Sequence, residues 1–173
     1  MPADALRFLL TAVCAALVHE AGHLGAAKLC GIPLRRGRGG TFGVRLTFDF
    51  SRAGYGREAL VHLGGPAAGI LAAVAAASSG GENGIRFACL SAAMAVFNLL
   101  PMEHTDGGGA LACLCWSILK PGSAPAVLAA VSFAVRAALW LLSLRLALTE
   151  GPNVGLLFFY FSICVFIFKL SLL

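Results

Sequence analysis

A chain of 173 residues suits one domain, but 59% of its residues are hydrophobic and only 12% charged, about half the charged share of an ordinary soluble domain. So small a domain has too much surface to hide that many apolar side chains from water, which excludes a soluble cytosolic enzyme, a disordered tail and a nucleic-acid binder. The formal charge of +5 forms no lysine-rich stripe or interleaved aromatic patch, and its distribution reads as topology in a lipid bilayer.

The first apolar stretch runs from Leu6 to Leu29 and is mostly Ala, Leu and Val. A secretory signal peptide would share its opening Arg7 and apolar run, but a discarded segment has no need of the His19, Glu20 and His23 at its far end. The loop that follows holds a period-two segment from Thr41 to Phe50. There Phe42, Val44, Leu46, Phe48 and Phe50 face one way, which predicts a strand with one buried face. A strand cannot leave its backbone unpaired in lipid, so it must pair with a second strand or sit in protein or water.

Further apolar stretches are Leu60–Ala77, Ile85–Leu100, Ala126–Leu148 and Val154–Leu173. Most approach or exceed the roughly 17–25 residues that span a hydrocarbon core. Ile85–Leu100 is short and is expected to continue past Pro101 as a broken helix. Ala110–Leu119 is too short to span and should lie at an interface or between helices. The expected fold is an all-α polytopic membrane protein with five to six transmembrane helices and a small β element in the first loop. It forms one domain over residues 1–173, with a core over about 6–119 and added helices over about 125–172.

Cys14, Cys30, Cys89, Cys113, Cys115 and Cys164 include no CxxC pair, and five lie in apolar runs, where cysteine acts as a small hydrophobe. Lys28, Arg35, Arg36, Arg38, Arg45, Arg52 and Arg57 crowd the first connection, whereas Ser78–Gly84 has no basic residue. Positive charge collects on the cytoplasmic side, so the amino terminus is expected outside and the long loop inside. The ends of the first and third spans then share one depth. Arg136 falls midway along Ala126–Leu148, where an unpaired cation is unfavourable. Glu103 or a lipid headgroup could pair with it, but the preferred reading is that this helix begins later. Trp116 and Trp140 read as packing or interface anchors.

His19-Glu20-Ala21-Gly22-His23 is an HExxH motif on a predicted helix. Residues four apart lie about 40° apart around the helix axis, so both imidazoles project from one face and can close on one zinc ion at roughly 2.0–2.1 Å. Glu20 sits beside the pair, placed to take a proton from a metal-activated water. Ionisable groups inside a spanning helix cost roughly 2.5–3.5 kcal/mol each, so three within five positions demand a compensating partner. Asp106 is the best third ligand, because Pro101 breaks the preceding helix and Gly107–Gly109 allow close backbone approach. Glu103, His104, Glu58 and His62 compete for that position. The longer HExxHxxGxxH pattern is absent, since Ala26 and Leu29 replace its Gly and His.

HExxH in one membrane helix, followed by Asn98-x-x-Pro101-x-x-x-x-Asp106-Gly107 in a later one, resembles the site-2 protease family of intramembrane zinc metalloproteases, over roughly residues 10 to 115. The resemblance implies that His19, His23 and Asp106 bind zinc, that Glu20 is the catalytic acid/base, and that Asn98 holds the substrate or the tetrahedral intermediate. The short core without a PDZ insertion looks most like the branch of the stage IV sporulation protein FB. That branch implies a bacterial plasma-membrane enzyme acting near the cytoplasmic face on a membrane-tethered protein, such as a sigma-factor precursor or an anti-sigma factor, with membrane proteins as possible regulators.

Three departures stand out. Gly65-Pro66-Ala67-Ala68-Gly69 has Gly where that family's next helix commonly carries Asn. Glu103-His104 replaces the usual apolar or proline-rich approach to the aspartate. The sporulation branch's carboxy-terminal CBS domain has no counterpart, so nucleotide regulation by that route is not expected. Extended substrate is expected to add to the edge of the Thr41–Phe50 strand; the plainer alternative is a strand that plugs the cytoplasmic face. A non-proteolytic scaffold and a metal transporter are the competing functions. An intact Glu20 argues against the first, and the scarcity of polar residues along the other helices argues against the second.

Overall fold

The structure is a computed structural model that describes residues 2–40, 43–120 and 122–150. Five helices and one hairpin follow in chain order: α1 Pro2–Leu29, β1 Leu34–Gly40, β2 Gly43–Phe48, α2 Tyr55–Ser78, α3 Glu82–Leu99, α4 Asp106–Ile118 and α5 Ser123–Glu150. The central element is α2, which packs against α1, α3 and α4, while α5 packs against α4.

Three helices, rather than five or six, are long and apolar enough to cross a membrane among the described residues: Asp4–Leu29, Tyr55–Ser78 and Ser123–Arg145. The reason lies in the other two. Glu82, Asn83, Arg86 and Asn98 dilute the apolar character of the 18-residue α3, and the 13-residue α4 is too short to span. The Val154–Leu173 stretch lies outside the described residues. Leu6, Phe8, Leu9, Leu10, Val13 and Leu17 are exposed along α1, as expected of a helix face solvated by lipid.

Small residues let α1 and α2 meet almost backbone to backbone. A Cβ built on Gly64 would stand 2.6 Å from the Cβ of Ala26 and 2.7 Å from the carbonyl oxygen of Gly22. Close approach through small side chains is a common way for helices to associate in lipid, where apolar area alone supplies no drive. The crossing falls within HExxH itself, so the same contact that joins the helices places the motif against α2.

The predicted strand forms as β2, and its partner is the basic segment β1, which the alternation did not reveal. The strands run antiparallel, with Gly37 opposite Leu46 and Gly40 opposite Gly43, and with an irregularity between Leu34 and Arg36. Thr41 and Phe42 lie outside the described residues. Phe48 and Phe50 are half-buried against Ala27, Ile32 and Val61, which seats the hairpin's root on α1 and the start of α2. Asp49 turns the chain there. It accepts from the Ser51 amide at 3.1 Å and stands 3.4 Å from Arg35 Nε. Its Ser51 contacts, with Arg35 and Arg52 adding less, hold its carboxyl below the usual carboxylate range.

Pro101 does end a helix: α3 stops at Leu99 and α4 starts at Asp106, so the apolar run continues as two separate helices. Thr105 caps α4, its Oγ1 accepting from the Gly108 amide at 3.1 Å. The same hydroxyl lies 2.6 Å from the Leu100 carbonyl oxygen, to which it donates. Side chains at Gly107 and Gly108 would collide with the carbonyls of Leu99 and Met102, so the glycine run is what lets the chain fold back tightly.

α5 begins at Ser123, earlier than drawn from the sequence, so a later helix start does not explain Arg136. Its Nη1 instead stands 3.9 Å from Glu103 Oε2, and Ser132 on the same helix accepts from the Glu103 amide at 2.9 Å. Glu103 is thus the residue that meets Arg136. Among the cysteines, Cys113 and Cys115 are buried, Cys30 is half-buried, Cys14 and Cys89 are exposed, and Cys164 lies outside the described residues.

Candidate metal centre

His19 and His23 are 6% and 7% exposed, and both project from the α1 face that meets α2. Their Nε2 atoms lie 3.2 Å apart. Asp106, the first residue of α4, brings its Oδ2 to 3.0 Å from His19 Nε2 and 3.3 Å from His23 Nε2. Two sites 87 residues apart in sequence therefore close into one triangle of donor atoms.

The orientation of the second ring is set from behind. His23 Nδ1 donates to the Val61 carbonyl at 2.7 Å, which leaves a lone pair on Nε2 of the neutral imidazole. His19 Nδ1 is buried and has no hydrogen-bond partner among the described residues.

The donor set fits a zinc ion. With His23 neutral, its Nε2 and Asp106 Oδ2 are both acceptors, and no proton lies between them; a cation at the centre of the triangle satisfies both. The three edges compare well with the roughly 3.3–3.5 Å between ligand atoms held tetrahedrally at about 2.0–2.2 Å. Two imidazoles and one carboxylate also leave a fourth position open. Gly65 of α2 forms the floor. A Cβ there would stand 2.6 Å from His23 Cε1 and 2.8 Å from His19 Nε2, so only glycine leaves room.

Glu20 is half-buried and close enough to interact electrostatically with His23, His19 and Asp106. Asn98 sits in the last turn of α3, where its Nδ2 donates to the Met94 carbonyl at 3.0 Å, back along its own helix. Of the competing third ligands, Glu103 faces Arg136, and His104 is exposed in the turn before α4 with φ 71°. Glu58 and His62 converge on Cys113, the ligand atoms of all three lying within 4.8 Å of one another.

Two contributors were not identified from sequence. Gly65, expected in a pattern that opens a helix, lies instead in the middle of α2. Cys113, expected as a small hydrophobe, stands beside Glu58 and His62. The readable signal was its spacing of seven from Asp106, which puts both on one face of a helix.

No protein-family model and no curated protein matches the sequence. In fold the chain is similar to the site-2 protease from Methanocaldococcus jannaschii, at 19% identity and a TM-score of 0.63, over 91% of this chain and 76% of that one. The likeness is one of fold, and it does not favour the sporulation branch.

Proposed function

We propose that this chain is an intramembrane zinc metalloendopeptidase of the site-2 type that cleaves a membrane-tethered protein. The observation that carries this reading is the triangle of His19, His23 and Asp106 donor atoms, its histidines buried and its aspartate half-buried, with Glu20 beside it. The shared fold with a site-2 protease supports it. Residues 1–173 are read as one membrane domain, with the chemistry carried by residues 6–119. The arginines of the first connection support a site toward the cytoplasm, and a bacterial plasma membrane is the location the family resemblance implies. Single-span or membrane-associated proteins, such as a sigma-factor precursor or an anti-sigma factor, are the substrate class, and membrane regulators fit the same reading.

His19, His23 and Asp106 would hold one zinc ion, which when bound supplies Lewis acidity toward a peptide carbonyl and toward water. Glu20 takes a proton from the attacking water and returns it to the leaving amine as the C–N bond breaks. Val61 keeps the His23 ring aimed at the triangle throughout. Asn98 can release the Met94 carbonyl and donate to the developing oxyanion, a contact type worth roughly 2.7–4 kcal/mol.

The test is cleavage of co-reconstituted single-span proteins by the purified chain in vesicles. A chelator is expected to stop fragment formation and added zinc to restore it. Cleavage that survives complete metal removal would overturn the assignment.

A helical substrate hides its carbonyls in its own hydrogen bonds, so it must be held extended. A two-stranded sheet leaves an outer edge on each strand, and β2 is the edge proposed to take it. Leu46→Pro is therefore expected to cut cleavage at least tenfold without changing metal content; full activity in that variant leaves the hairpin as a plug only.

A further inference from the structure

The geometry points to a second cation site, made by Glu58, His62 and Cys113, that pins α4 to α2. Its donors are one carboxylate, one imidazole and one thiolate, a mixture that selects a borderline-soft divalent ion such as zinc. Glu58 and His62 are four residues apart on α2, so they share a face as the HExxH histidines do. Cys113 reaches them from α4 and is only 2% exposed. The three ligand atoms already lie within 4.8 Å of one another. Tetrahedral bonds of about 2.0–2.3 Å would bring them to about 3.4–3.7 Å, a closure within reach of side-chain rotation.

Among the described residues, no hydrogen bond or ion pair engages the Glu58 carboxylate or the His62 ring. Phe50 lies against one side of that ring, with centroids 5.8 Å apart. Gly109 lies against it as well: a Cβ there would stand 2.6 Å from His62 Nδ1. The ring is therefore confined between the hairpin's root and a glycine of α4.

The placement suggests what the ion does. Asp106 and Cys113 lie on one face of α4, about 10 Å apart along its axis. Gly65 and His62 lie three residues apart on α2. The two clusters thus stack along the same α2–α4 contact. An ion in the second would hold the helix that carries Asp106 at the distance the first requires. The site is structural, and it stands whether or not the chain is a protease.

The test is metal counting on the full chain in detergent. About two zinc equivalents per chain are expected, falling to about one in Asp106→Ala and about one in Cys113→Ser. Cobalt(II) loaded into Asp106→Ala should show a near-ultraviolet thiolate-to-cobalt charge-transfer band that disappears on adding Cys113→Ser. A single equivalent that Asp106→Ala removes, with no thiolate band in the cobalt-loaded unchanged chain, overturns the second site. A single equivalent that survives Asp106→Ala and is lost in Cys113→Ser supports it and overturns the metal assignment of the first cluster instead. The band in the unchanged chain needs no variant to fold.

Discussion

Glu20→Gln is expected to lower cleavage by about 10²–10⁴-fold, the usual contribution of a positioned general acid/base, while metal content stays at the level of the unchanged chain. The substitution keeps the size and planarity of the side chain but removes its ability to accept a proton from water. His19, His23 and Asp106 make their mutual contacts without it, so the triangle should survive. The fragments released from a reconstituted single-span protein and the zinc content are measured on the same preparation. A transporter built on these residues would keep its flux in this variant, and a scaffold would show no turnover to lose. Cleavage retained at the original rate sinks the mechanism while leaving the metal site standing.

Gly65→Ala should weaken zinc binding at the first cluster. Alanine in place of glycine within a helix ordinarily stabilises by about 0.5–1 kcal/mol. Here the added methyl would stand 2.6 Å from His23 Cε1 and 2.8 Å from His19 Nε2, against an optimal contact of about 3.5–4.0 Å. Neither ring can retreat easily, because both are buried and His23 is tied to Val61. Zinc affinity at that cluster is expected to fall by at least the roughly 10–100-fold typical of disturbing a ligand's support, and cleavage with it. Measuring it in a Cys113→Ser background isolates the first cluster from the second. Gly25→Ala is the matched control, since nothing lies within 4 Å of a Cβ at that position on α1. Equal loss in both variants would point to general damage to the helices, and unchanged zinc affinity in Gly65→Ala would remove Gly65 from the site.

The membrane setting, most helix positions and the HExxH pair were legible in the sequence because each depends on local pattern. Apolar length marks a span, and a spacing of four on a helix puts His19 and His23 on one face whatever surrounds them. The break at Pro101 was equally local, and it drew attention to Asp106. Among the described residues, α3 reads as a membrane helix from its apolar run but does not qualify as a span, because Glu82 and Arg86 near its start lower its hydropathy. The partner of β2 was invisible, since β1 is basic and glycine-rich with no alternation to mark it.

Local signals favoured Asp106 over Glu58, His62, Glu103 and His104, but they carried no distance, and long-range contacts set which of these side chains stands beside the histidines. The Thr105 cap and the glycine turn aim Asp106 at the histidines, while Arg136 draws Glu103 away. Composition and motif thus pointed to a bilayer and to two of the three donors that meet at the candidate site. Only the packing of α2 between α1 and α4 decided which carboxylate stands within 3.3 Å of both histidines, because a donor's identity is local whereas its distance to a donor 87 residues away is set by every contact between them.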